Sequence, residues 1–388
     1  MELYIAGGCS EHGRNCFLVK KGDMSFIVDA GKMKEKPESP WPELTEKQVR
    51  KAKFLFLTHS HADHAGAVRH LLEMGFQGKI VAARATLSDL PAEAGKVIAL
   101  EDLGKQKEEF RLSRKFHVMW GRSGHCVGSV WYRMRLGKKT ILFTGDYEEN
   151  SLAYKCDKLR GMKADLAVVD CAYGSEAEDS TDHLSEINEA MDRLVSRKKP
   201  LLFPVPSHGR GFDVLRLLAD RGVKAVAADS FMKEYDELPD RSRWLKKSFL
   251  SSMETLQITD IREFEEAFRK TIKRRGAFPA KYMDSGILVQ DSQLRESENR
   301  QIAEGAYARG GLTVLTGKQD PASFARRLFD GGKAEYHRIS VHQNREEMMQ
   351  LLAKNEFRYV IPFHSREELQ FDEEHILALK TGDRVKFN

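Results

Sequence analysis

The chain has 388 residues, 41% hydrophobic and 31% charged, with no low-complexity tract, which excludes disorder, collagen and coiled coil. No apolar run approaches the roughly 18 residues of a membrane-spanning helix, so no membrane partner is expected, and Met1-Glu2-Leu3-Tyr4-Ile5 shows no secretory signal. Lys+Arg 63 against Asp+Glu 58 gives a formal +5, which tolerates a polyanionic partner without demanding one. Cys9, Cys16, Cys126, Cys156 and Cys171 are irregularly spaced and odd in number; they make no disulfide framework and point to a reducing cytoplasm.

In chain order, Phe17-Leu18-Val19 and Phe26-Ile27-Val28, separated by Lys20-Lys21-Gly22-Asp23, predict a hairpin. After a loop with Pro37, Pro40 and Pro42, Thr45 is an N-cap for a helix running from Glu46 to Lys53. The apolar run Lys53 to Thr58 predicts a buried strand, and further strands follow at Lys79–Ala82, Phe116–Met119, Val130–Met134, Thr140–Thr144 and Ala164–Val169. From about Tyr173 the texture changes: an acidic loop, an amphipathic helix Leu184–Arg197, then strand, helix and strand at Leu201–Phe203, Phe212–Arg221 and Val223–Ala228, the rhythm of a parallel sheet. Residues 230 to 275 read as helical and basic, strands return at Ile287–Val289 and Leu312–Leu315, and a helix Arg345–Lys354 with strands Tyr359–Ile361 and Arg384–Phe387 closes the chain. The fold class is therefore α/β, with a second α/β unit of about 160 residues inserted into the first.

Thr58-His59-Ser60-His61-Ala62-Asp63-His64 puts three imidazoles and a carboxylate on one turn just past an apolar strand. Neutral imidazole and carboxylate suit a borderline divalent ion such as zinc. No single tetrahedral ion can use all four groups from so short a loop. The natural division is His59 and His61 to one ion and Asp63 and His64 to another, with a bridging carboxylate and further histidines from elsewhere. His125, in Ser123-Gly124-His125-Cys126-Val127-Gly128, and Asp146, just after an apolar strand, are candidates to supply them. Cys126 and Cys171 read as small buried fillers, and His12 and His117 as structural residues.

The pattern His59-x-His61-x-Asp63-His64, His125 and Asp146, with Asp29 ending the strand Phe26-Ile27-Val28, resembles the metallo-β-lactamase superfamily. The resemblance implies an αββα sandwich with two zinc ions at one edge. It assigns His59, His61 and His125 to one ion, Asp63 and His64 to the other, Asp146 as the bridge, and Asp29 as a residue that orients the loop without being a ligand.

The second half resembles the β-CASP nuclease branch of that superfamily. The residues that carry this are Asp170 in Val168-Val169-Asp170-Cys171-Ala172-Tyr173-Gly174, and Pro204 to Arg210 with His208 where a small or apolar residue is usual. Thr316-Gly317 with Phe324-Ala325-Arg326-Arg327-Leu328, Ser340-Val341-His342 and Pro362-Phe363-His364-Ser365 complete the match. The implied domains are 1–175 for the first part of the metallo-β-lactamase core, 176–335 for an inserted α/β β-CASP domain, and 336–388 for the return to the core. By the same resemblance His364 completes the shell of the second zinc, and His342 faces the scissile phosphate. Asp170 hydrogen-bonds His342, and Asp63 orients an attacking water activated by the two ions. Arg210, Arg326, Ser365 and His208 are candidate phosphate or substrate contacts.

The activity implied is zinc-dependent hydrolysis of phosphodiester bonds in single-stranded RNA, endonucleolytic or from the 5′ end, in the cytoplasm. A histidine at the position of His364 goes with the RNA-processing members. The alternatives are a DNA nuclease of the same branch or a small-molecule thioesterase or lactonase, the latter having no use for Asp170, His342 and His364. The basic run Phe268 to Arg275 is a weaker candidate for phosphate contact. The length predicts a minimal nuclease core without an added RNA-binding module; a homodimer and other protein partners are left open.

Overall fold

The computed structural model describes residues 1–388 except 176–179, 207–208, 239, 273–277, 367–370 and 388. It separates into two units. One comprises Met1–Glu149, Lys155–Ala177 and His342–Asn388; the other comprises Asn150–Tyr154 and Glu178–Val341.

The first unit is built on two facing sheets. The seven-stranded sheet runs, side by side, Arg384–Lys386, Glu2–Gly7, Cys16–Lys21, Met24–Val28, Phe54–Phe56, Lys79–Ala82 and Val97–Ala99. The six-stranded sheet runs Val360–Phe363, Leu166–Asp170, Lys139–Phe143, Val130–Leu136, Phe116–Arg122 and Phe110–Ser113. Aromatic rings fill the space between them: Phe17 lies 5.8 Å from Phe143 and 5.6 Å from Phe363, Phe26 5.1 Å from Phe116, and Phe56 5.5 Å from Tyr132. A polar handle in this layer is satisfied, since Tyr132 Oη donates to the Leu57 carbonyl at 2.8 Å. Outside the first sheet, Val49, Val68 and Leu71 of the helices Glu46–Lys51 and Val68–Glu73 pack against it. Outside the second, Met348 and Leu351 of the helix Arg345–Ala353 do the same. The result is the αββα sandwich of the metallo-β-lactamase fold.

The strands Met24–Val28 and Phe54–Phe56 are parallel, as are Lys139–Phe143, Leu166–Asp170 and Val360–Phe363. Their C-terminal ends carry Asp29, His59 to His64, Asp146, Asp170 and His364. Parallel registration thus gathers residues that lie far apart in the chain.

The second unit is an all-parallel six-stranded sheet in the order Ile258–Asp260, Lys224–Ala227, Ser285–Val289, Leu201–Pro204, Leu312–Leu315 and Ala334–Tyr336. Leu201–Pro204 and Ser285–Val289 are buried along their whole length, as a sheet covered on both faces requires. Phe264, Phe268, Ile302, Ala306 and Leu328 form the core on one face. Asn150–Tyr154 belongs to this unit because buried Asp213 accepts from Ser151 Oγ, and from the amides of Leu152 and Ala153, through one oxygen at 2.5–3.2 Å. Such a tie between distant segments leaves no trace in local sequence pattern.

Among the described residues no helix is long and apolar enough to cross a membrane.

Candidate metal and catalytic site

The loop Thr58–His64 is built around Asp29. This buried carboxylate, on a backbone with φ of 59°, accepts from Thr58 N at 2.7 Å, from Thr58 Oγ at 2.9 Å and from His64 Nδ1 at 2.8 Å. A carboxylate only accepts, so Nδ1 of His64 carries the proton and Nε2 keeps a bare lone pair. Asn15 Nδ2 donates to that lone pair at 2.9 Å. Thr58 Oγ, its own proton given to Asp29, accepts from His59 Nδ1 at 3.1 Å, which leaves His59 Nε2 bare as well. Asp29 thereby fixes two tautomers, one directly and one through a hydroxyl.

The bare nitrogens converge on Asp146. Its Oδ2 lies 3.4 Å from both His59 Nε2 and His125 Nε2, while its Oδ1 lies 3.0 Å from His64 Nε2 and 3.2 Å from His364 Nδ1. His125 Nε2 faces His61 Nδ1 at 3.0 Å. His59, His61, His125 and Asp146 offer ligand atoms all within 4.8 Å of one another, and so do Asp146, Asp170, His342 and His364. Asp146 is common to both groups and turns a different oxygen to each side. Asp63 approaches from the second side, with Oδ2 3.0 Å from His364 Nε2 and 3.8 Å from His64 Nε2.

These donors fit a metal better than they fit each other. His59 Nε2, His364 Nδ1 and Asp146 Oδ1 are buried and make no hydrogen bond among the described residues, although nitrogens and oxygens stand within contact distance. A buried polar atom without a partner costs about 1–3 kcal/mol, and lone pairs facing a carboxylate repel unless a cation lies among them. The donor set is nitrogen and oxygen only, the preference of zinc and similar divalent ions.

The electrostatics follow from burial and neighbours. Burial pushes the Asp146 carboxyl up, but His64, His364, His342 and His59 outweigh it and hold it well below the usual carboxylate range. Burial also opposes the charged form of His64, yet with no ion among the donors Asp146 and Asp29 raise it to about 10, a second proton that a metal at Nε2 would displace. His59 goes the other way: burial first, then the neighbouring His64, hold it well below the ordinary imidazole value. Asp29 itself is raised by burial despite His64 and Thr58.

At the edge of the cluster, His342 Nδ1 donates to Asp170 Oδ2 at 2.9 Å, leaving Nε2 as the nitrogen free to work on a substrate. Asp170 is fully buried and held by the amides of Tyr147 and Ala172 at 2.9 and 3.0 Å, so it orients His342 from a fixed base. Burial raises its carboxyl and His342 more than compensates, leaving it below the usual value. His342 stands 4.8 Å from His125 and 5.1 Å from His364, ring centre to ring centre.

All the ligand and catalytic candidates read from the sequence therefore meet in the first unit, and Ser365 is buried beside His364. Of the remaining substrate candidates, Arg210 and Arg326 belong to the second unit. Arg210, in the second unit, donates to the Thr316 carbonyl at 2.5 Å. Arg326 pairs with Asp330 on its own helix at 2.9 Å, and His208 lies outside the described residues. Within the basic run, Arg269 pairs with Glu298 and Glu265, and Lys270 with Glu266, which is how a solvated helix face behaves; Lys273, Arg274 and Arg275 lie outside the described residues.

Sequence reasoning missed His12 and Asn15. His12, read there as structural, stacks on His364 and forms a third group of potential donors with Asp63 and His364. A signal was present in Glu11-His12-Gly13-Arg14, whose acid and base three apart close a buried ion pair at 2.8 Å.

A family model described as the Metallo-beta-lactamase superfamily matches residues 10–201. Among curated proteins, the chain is 22% identical over 250 residues to a "Transcription termination factor FttA" from Lokiarchaeum sp., covering 57% of this chain and 39% of that protein. It is 20% identical over 376 residues to an "Endoribonuclease YSH1" from Candida albicans, covering 84% of this chain and 42% of that one. The chain thus spans about two fifths of the length of these relatives. Among solved structures, a protein of unknown function from Enterococcus faecalis aligns with a TM-score of 0.62 at 11% identity, over 99% of each chain, which shows a shared fold.

Proposed function

Because the chain belongs to the metallo-β-lactamase superfamily, in its β-CASP branch, we propose that it is a metal-dependent nuclease that hydrolyses phosphodiester bonds in single-stranded RNA. The observation that carries this reading is the hydrogen bond from His342 to the buried Asp170, both of them members of one of the two donor groups that share Asp146. A small-ester hydrolase has no need of that pair. The similarity to a protein named an endoribonuclease supports RNA as the substrate class.

In this reading His59, His61 and His125 would hold one zinc ion and Asp63, His64 and His364 a second, with Asp146 available to both. When bound, the two ions supply Lewis acidity toward a phosphodiester oxygen and lower the pKa of an attacking water. The chain's own residues do the rest. Asp63, at the open side of the cluster, orients the water and receives its proton. His342, its Nδ1 committed to Asp170, presents Nε2 to the phosphate and passes a proton to the leaving oxygen. Asp29 keeps the Nε2 atoms of His59 and His64 unprotonated and aimed inward. Ser365, Arg210, Arg326 and His208 are assigned to the substrate backbone. The two units take the roles of core and β-CASP insertion, and the cytoplasm is the assigned compartment, where the five cysteines, none of them in a disulfide, stay reduced.

The test offers zinc-loaded protein 5′-labelled single-stranded RNA, the matching DNA, and a panel of thioesters and lactones. The expected outcome is cleavage of RNA in preference to the others. Turnover of thioesters or lactones with RNA intact would contradict the reading; preference for DNA would move the substrate to the sister class of nucleases.

A further inference from the structure

The loop Gly8–Arg14 is tightly wound and tied by a buried ion pair. Gly8, Ser10, Gly13 and Arg14 all take positive φ, at 93°, 53°, 97° and 45°, and wind it tightly. Glu11 and Arg14 are both buried and form a two-pronged ion pair, Nε to Oε1 at 2.8 Å and Nη2 to Oε2 at 2.9 Å. The same carboxylate accepts from Gly8 N at 3.2 Å and Thr381 Oγ at 2.8 Å. This clamp fixes the backbone on either side of His12, which lies between Glu11 and Gly13 in the chain.

His12 lies flat against His364, with ring centres 4.7 Å apart and planes 19° apart. His364 needs such support. It sits at φ 76°, an uncommon conformation for a side chain with a Cβ. Its backbone N–H donates to the Gly8 carbonyl, so the same loop holds the main chain and the ring of His364. The His12 side chain is 40% exposed, whereas His364 is almost fully covered.

We propose that His12 is a positioning residue: its ring holds the plane of His364 and so sets how tightly the Asp63–His364 side of the centre retains its ion. The proposal rests on the metal reading above. It assigns His12 no bond to the ion and no part in proton transfer.

The test titrates zinc-loaded wild type, His12→Ala and His12→Phe with a chelator of known zinc affinity and measures the zinc that remains bound, with thermal melting alongside. His12→Ala is expected to lose its more weakly held zinc about tenfold more readily than wild type, the usual scale for losing a group that orients a ligand. His12→Phe keeps the flat ring without a nitrogen and is expected to retain zinc like wild type. Wild-type retention by His12→Ala overturns the proposal. Equal loss in both variants also overturns it, because the ring nitrogen would then be a ligand. Should His12→Ala not fold, His12→Leu, which fills the space without a ring face, takes its place with the same expectation. A folded wild-type protein that takes up no zinc contradicts the metal reading itself, a failure distinct from that of His12 alone.

Discussion

Asp170 and His342 form a pair whose geometry makes a sharp demand on chemistry. Replacing Asp170 with Asn keeps the shape but turns an acceptor into a group that can also donate, so Nδ1 of His342 no longer has a carboxylate to hold its proton and favour the imidazolium. Asp170→Asn is expected to lower kcat on RNA by about 100-fold or more, the scale of a misplaced general acid, with zinc content and KM near wild type; steady-state kinetics and metal analysis check this. Asp29→Asn acts elsewhere. It removes an acceptor that fixes Thr58, His59 and His64 together, and is expected to weaken zinc binding by about 10–100-fold in a chelator titration while the fold persists. Most of this site was legible in the sequence because ligand chemistry concentrates rare residue types at short spacing, as in His59 to His64. His12 was not, because ring stacking depends on the backbone conformation of His364 and on a loop clamp that no spacing rule encodes.

At the scale of elements, the centre depends on turns that tolerate no side chain. A Cβ on Gly31 would come within 1.7 Å of the Asp63 carbonyl oxygen and 2.6 Å of Asn15 N, so the backbone that carries Asp63 would have to move. Gly31→Ala is expected to destabilise the fold by at least about 1–3 kcal/mol and to loosen zinc as well, seen as a lower melting temperature together with reduced metal content. Thr45→Ala makes a contrast. Thr45 and Gln48 form a capping box at an exposed helix start, so its loss is expected to cost about 1 kcal/mol in denaturant melts and to leave zinc binding unchanged. The hairpin at Cys16–Val28 and the buried parallel strands were readable from apolar runs bounded by turn residues. The strands Val97–Ala99, Phe110–Ser113, Ile258–Asp260 and Ala334–Tyr336 were not, since segments of three or four residues become strands by pairing with a neighbour rather than by their own pattern. The helix Ser297–Ala308 was missed too; its apolar side is made of Ile302, Ala303 and Ala306, and alanines give a weak periodic signal.

For the whole molecule, the chain leaves the first unit and returns to it, and the donors of the centre come from both sides of that excursion, from His59 to His364. The sandwich positions them at the ends of parallel strands, which is why residues more than 300 positions apart, such as Asp63 and His364, stand 3.0 Å from each other. The net charge of +5 had little to say about substrate; the cluster and the pair beside it say more. Loaded with metal, this cluster is proposed to cleave RNA through His342. The most direct measurement is a time course of 5′-labelled single-stranded RNA with four samples: zinc-loaded wild type, the same protein stripped by chelator, the stripped protein reloaded with zinc, and zinc-loaded His342→Ala. Cleavage is expected from the first and third, none from the second, and a rate at least about 100-fold lower from the fourth. Intact RNA in the zinc-loaded wild-type sample, or cleavage undiminished by stripping the metal or by His342→Ala, would contradict it.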